Sequence, residues 1–193
     1  MVNKLILVSA LIIMMLFVSG CTDEQDPDSG QEVNNTTNTG VNADISGMSA
    51  EDLAVISDLP EGYEYIGSPS LTVEKVQKEY VNMSGIVAAA EGLYKAGDVD
   101  LYVDVIEMES PELAEEFVSE YMSGFKQLSS GTRFAEDSFN GHSVTVIKTY
   151  STVGAKQVPR YTYIWSNENF VFVVGGATDD TSMPRTLAEA TGY

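Results

Sequence analysis

Asn140-Gly141 is the most restrictive dipeptide in the chain. Set between the β-rich runs 133–139 and 142–150, it calls for two consecutive residues with positive φ, the geometry of a type I′ hairpin turn. The same punctuation recurs downstream, where Asn167-Glu168-Asn169 separates the runs 158–165 and 170–174. Upstream, Lys95-Ala96-Gly97-Asp98 joins the runs 86–94 and 99–108 into a further hairpin. In the second of these runs Val99, Leu101, Val103 and Val105 alternate with Asp98, Asp100, Tyr102 and Asp104, which predicts one buried and one wet face.

Helices are fewer. Ser110 is a candidate N-cap with Pro111 in the first turn, and Glu112, Glu115 and Glu116 complement the helix dipole. Leu113, Phe117, Tyr121 and Leu128 form the inner stripe, supported by Ala114, Val118 and Phe125. Ser49-Ala50-Glu51-Asp52 reads as a short helix start, 72–81 leans to helix, and a last short helix runs to about Ala190. Leu59-Pro60-Glu61-Gly62 is a turn into a strand at 63–66. Hairpins outnumber strand-helix-strand alternation. The fold class expected is therefore α+β: an antiparallel sheet of about six or seven strands, one main amphipathic helix packed on one face, and short terminal helices.

The first residues have another character. Lys4 precedes an uncharged, apolar run over 5–18, interrupted only by Ser9, and the small residues Ser19 and Gly20, the layout of a secretory signal. As a helix that run reaches roughly 21 Å, short of the roughly 30 Å hydrocarbon core of a bilayer. Val18-Ser19-Gly20-Cys21 resembles the lipobox of lipoprotein precursors, in which an aliphatic residue and two small ones precede the cysteine that carries the lipid. The resemblance implies removal of residues 1–20, lipidation of Cys21 and anchoring to the membrane on its extracytoplasmic face. Cys21 is the only cysteine, so a lipidated chain has no thiol left for a disulfide or a metal, and its stability must come from a core.

Residues 21–48 read as a disordered acidic tether, and 49–193 as one extracytoplasmic domain. Asp23, Glu24, Asp26, Asp28 and Glu32 precede a polar Asn/Thr tract, too poor in apolar area to offset its ordering entropy. A flexible chain of about 37 residues spans roughly 30 to 35 Å. Asn34 and Asn35 begin overlapping glycosylation sequons there, and Asn82 begins a third within the domain. Further along, a Leu-Pro-Glu-Gly-Tyr opening at Leu59, the strand Ala90-Glu91-Gly92-Leu93-Tyr94, the helix start from Ser110 to Phe117 and Phe139-Asn140-Gly141-His142 resemble uncharacterised lipoproteins of methanogenic archaea. That resemblance implies an archaeal cell surface and supplies no activity.

With 29 Asp or Glu against 10 Lys or Arg, the formal charge is −19. Nucleic acid is not an expected partner, because a polyanion needs a basic footprint. His142 is the only histidine and has no Gly-x-Ser-x-Gly elbow to serve. One histidine and one lipidated cysteine cannot make a His/Cys metal site, so no catalytic residue, metal ligand or cofactor is assigned. Asp98, Asp100 and Asp104 are expected on a solvated sheet face, and Asp179 and Asp180 form an acidic loop. Tyr161, Tyr163 and Trp165 alternate along one strand and share a face, a candidate surface for stacking against sugars or a partner. The function expected is a non-catalytic surface module that contacts an envelope protein or glycan. The alternatives are a small-molecule-binding lipoprotein serving a transporter and, behind it, a hydrolase.

Overall fold

A computed structural model describes residues 44–193. The hairpins read from the sequence form its scaffold: β2 (Ile86–Ala96) with β3 (Val99–Met108), β4 (Phe134–Phe139) with β5 (His142–Val153), and β6 (Lys156–Asn167) with β7 (Phe170–Gly176). Asn140 and Gly141 sit at φ 50° and 82°, as a type I′ turn requires. With β1 (Tyr63–Gly67) at one edge, the strands form a single seven-stranded sheet in the order β1-β2-β3-β7-β6-β5-β4, antiparallel throughout. β3 and β7 join the halves, with Val103 opposite Val174 and Val105 opposite Phe172.

Four helices cover this sheet: α1 (Ala50–Leu53), α2 (Val73–Glu79), α3 (Pro111–Ser123) and α4 (Ser182–Ala190). Each of the first three starts on a side-chain cap. The hydroxyls of Ser49, Thr72 and Ser110 accept from the backbone N–H of Asp52, Lys75 and Leu113 respectively. α3 ends at Ser123, so Leu128 falls outside it, and its buried residues are Ala114 and Phe117.

Helical cover is not confined to one face. α1 and α4 pack with Leu101, Val103, Trp165, Phe172 and Val174 on one side of the sheet. α2 and α3 lie on the other, over Ile106, Ile147, Ile164, Val171 and Val173. Burial of β7 on both faces follows from its sequence, an apolar run without alternation from Phe170 to Val174. The first core also contains Ile45, ahead of Ser49, and Tyr94, whose hydroxyl accepts from Ile56 N (2.9 Å) and donates to Ala54 O (2.7 Å). Those bonds satisfy backbone groups at the end of α1 and fix it on β2.

Candidate functional site

The face of β2 and β3 beneath α2 and α3 carries the chemistry. Side chains of Tyr102, Asp104 and Ile106 leave β3 on this side, and Asp104 stands opposite Glu91 of β2 and Val173 of β7. The alternation that predicts a wet face here fails at Asp104, which is only 4% exposed. The physical reason is α2: its last turn brings Tyr80 down onto the carboxyl, and the Tyr80 hydroxyl donates to Asp104 Oδ2. Tyr80 is itself packed against Tyr121 (5.3 Å between ring centroids) and Phe117 (6.4 Å) of α3. Asp104 Oδ1 is buried without a hydrogen-bond partner. Asp98 and Asp100, by contrast, are exposed near the hairpin turn, and Asp100 is 3.9 Å from Lys95.

Burial pushes the Asp104 carboxyl up to about 7, opposed by the Tyr80 hydrogen bond, with Glu91 adding to the rise and Lys75 opposing it. Lys75 of α2 is also the ion-pair partner of Glu91, at 3.4 Å. The phenols of Tyr80 and Tyr102 are driven well above their ordinary value, first by burial and then in part by the charge on Asp104. A carboxyl of this kind changes its charge near neutral pH inside a tyrosine-lined enclosure.

Beyond Tyr102 the helices stop and the same face opens into a shallow groove of about 370 Å³. Glu91, Leu93, Asp100, Tyr102, Arg160 and Ala177 are among its lining residues. Gly175 makes the groove wall possible, since a Cβ there would lie 2.5 Å from the Tyr102 hydroxyl oxygen. Gly176 leaves similar room for Leu101, so the double glycine serves side-chain packing. Glu91 and Tyr102 line the groove and each interacts electrostatically with the buried acid.

The residues singled out from the sequence are placed elsewhere. Cys21, Asn34 and Asn35 lie outside the described residues. Asn82 is exposed in the link between α2 and β2. Tyr161, Tyr163 and Trp165 do share a face, but it is the face under α4, and this corrects their reading as a wet aromatic row. Tyr163 is 3% and Trp165 1% exposed, and Tyr161 is half-buried. Trp165 stacks on Phe172 at 5.1 Å, Phe139 meets it edge-on, and Tyr193 covers the other side of Phe172. The Tyr163 hydroxyl donates to Thr181 O.

His142 is half-buried at the start of β5, in line with Val144 and Val146 and so on the opposite face from Asp104. Burial lowers its pKa, and its Nε2 has no partner. Asp180 accepts from the N–H and hydroxyl of Ser182, anchoring the start of α4. Among the described residues no group of three or more His, Cys, Asp or Glu side chains is placed to hold a metal ion.

The Asp104 site was missed by sequence reading, although one signal was present. Aspartate is disfavoured inside strands, and Asp104 is followed by Val105 and Ile106, so a solvated face should have ended there. No protein-family model matches the chain, and no curated protein matches it.

Proposed function

We propose that the chain is a lipid-anchored extracytoplasmic protein whose folded domain is a non-catalytic binding module, with its ligand site in the groove beside Glu91 and Tyr102. The observation that carries this reading is Asp104. A carboxyl with one orphaned oxygen is a costly occupant of a sheet core, where an apolar residue would add stability. Retaining it beside an open groove, with Glu91 and Tyr102 between them, has a reason if the site recognises a ligand. In this reading α3 is the main amphipathic helix on its face, and its limited length leaves the Arg160 end of that face open.

Anchoring rests on the sequence Val18-Ser19-Gly20-Cys21. No helix among the described residues is long and apolar enough to cross a membrane. Cys21→Ser is expected to release or misprocess the protein; a fully processed product of the Cys21→Ser variant that still fractionates with membranes would sink the anchoring claim.

The partner class is an envelope protein or glycan. A second reading, a solute-binding lipoprotein serving a transporter, is favoured by the groove volume, which falls in the range of small-molecule sites. A thermal-shift screen of sugars, peptides and small solutes separates the two. A ligand at a hundred times its Kd adds about 2.7 kcal/mol of stability. Loss of that shift in Tyr102→Ala would assign it to the groove, and an unchanged shift would assign it elsewhere.

A further inference from the structure

The β5-β6 hairpin outgrows the sheet. β4 pairs with β5 only as far as Ile147, and β7 pairs with β6 only from Thr162, whereas β5 and β6 remain paired out to Val153 and Lys156. Residues 148–161 therefore form a two-stranded arm, reaching roughly 17–20 Å at about 3.3 Å per residue.

Its charge is the reverse of the rest of the protein. In a chain with 29 acids, none occurs between Asp137 and Glu168, while Lys148, Lys156 and Arg160 all lie on the arm. Lys126 and Arg133 stand at its base, where Arg133 donates to Lys126 O (2.6 Å) and Lys148 O (2.9 Å). Among the described residues the ion pairs are made by Lys75, Lys95 and Arg185, so none of these five cations is neutralised by a carboxylate. The arm is also apolar toward its tip: Val153 is 53% and Tyr150 44% exposed, with the Lys148 ammonium 5.5 Å from the Tyr150 ring centre.

We propose that this arm docks on an anionic, phosphate-bearing membrane surface. The proposal rests on the reading of the chain as membrane-anchored, which puts such a surface within reach. Unpaired lysines and an arginine, a tyrosine and an exposed valine suit the headgroup boundary, where aliphatic stems and rings are buried and ammonium groups stay wet. The acidic body does not cancel the attraction. Lys156, at the tip, lies farther from that body than the Debye length of about 8 Å, whereas Lys148 and Arg160 stand at the base of the arm, Arg160 in the groove it shares with Glu91 and Asp100. A second copy of the chain would offer the carboxylates of its acidic body to the same arm, and salt-sensitive self-association without lipid is the outcome that separates it from a membrane.

The test uses non-lipidated protein beginning at Thr22, so that its outcome is independent of Cys21, with vesicles of phosphatidylcholine alone or of equal parts phosphatidylcholine and phosphatidylglycerol. Co-sedimentation is expected with the anionic vesicles only, and is expected to be abolished in ~1 M salt. Each cation removed should weaken binding about fivefold, and Lys148→Gln, Lys156→Gln and Arg160→Gln together roughly a hundredfold. Thermal unfolding of the triple variant, whose replaced side chains make no ion pair, should match wild type. A second variant, Tyr150→Ser with Val153→Ser, should weaken binding while keeping its salt dependence. Equal binding to neutral vesicles, no binding to anionic ones, or full binding by the triple variant overturns the proposal. So does salt-sensitive self-association without lipid that the triple variant loses. Failure of the Cys21→Ser experiment would instead remove the anchor and leave the vesicle result standing.

Discussion

The Tyr80 hydroxyl donates a hydrogen bond to Asp104 Oδ2 across the junction of α2 and β3, leaving the second oxygen of that carboxyl without a partner among the described residues. In the folded chain the carboxyl titrates near 7, against an ordinary value of 3.8. Between those values the folded state keeps a proton that the unfolded state has released. The contribution of Asp104 to stability therefore falls as pH rises from about 4 to about 7 and is level above that. Asp104→Asn, close in shape and still able to accept from Tyr80, removes this penalty. Its melting temperature should exceed that of wild type by an amount that grows from about pH 4 to about pH 7 and then stays constant. A difference independent of pH would show that the carboxyl is not raised.

Tyr80→Phe takes away the only hydrogen bond that the described residues make to the same carboxyl. Leaving a buried acceptor unsatisfied costs about 1–3 kcal/mol. The loss should be greater at pH 8 than at pH 5, because the bond favours the anion. Urea denaturation at both pH values measures it, and equal losses would mean that Tyr80 acts by packing alone.

Gly92→Ala places a methyl group 2.1 Å from the Ala54 carbonyl oxygen, so α1 must lift from β2. Overpacking of this kind costs about 1–3 kcal/mol. The control is Gly124→Ala, at an ordinary right-handed φ of −67° with its nearest contact at 3.4 Å, which is expected to be near neutral. Comparable destabilisation of both would remove the steric explanation.

Trp165 and Tyr150 distinguish core aromatics from surface ones. Trp165→Ala opens a cavity between Phe139 and Phe172 and should cost about 3–5 kcal/mol, while Tyr150→Ala should change stability by roughly 0.5 kcal/mol or less. Chemical denaturation of the two variants measures the contrast directly.

Much of the sheet was legible because hairpins announce themselves locally. Asn140-Gly141 and the alternation after Val99 specify a turn and a pleat without reference to the rest of the chain. What covers each face is not local. Tyr161, Tyr163 and Trp165 were correctly grouped on one side, yet their burial depends on α4 and Tyr193, contributed by the end of the chain. The unbroken apolar run from Phe170 to Val174 was the available sign that both faces of the sheet are covered. Asp104 shows the same limit, since alternation sorts an acid to the wet side and only Tyr80 reverses it. The strand ends expected at Tyr150 and Val158 fell short because hairpin pairing continues beyond the neighbouring strands to Val153 and Lys156.

The strand order carries one further consequence, for the timing of folding. β7, the last of the described strands in chain order, is central in the sheet, and both halves of the sheet meet on it. The β2-β3 hairpin can form early, pairing Val103 with Gly92 and Val105 with Ala90, but the same two residues gain their β7 neighbours only once Val174 and Phe172 have emerged. Pairings at such sequence separation form slowly. A chain threaded unfolded across a membrane, as the proposed export requires, benefits from this order: its sheet cannot close until β7 has emerged.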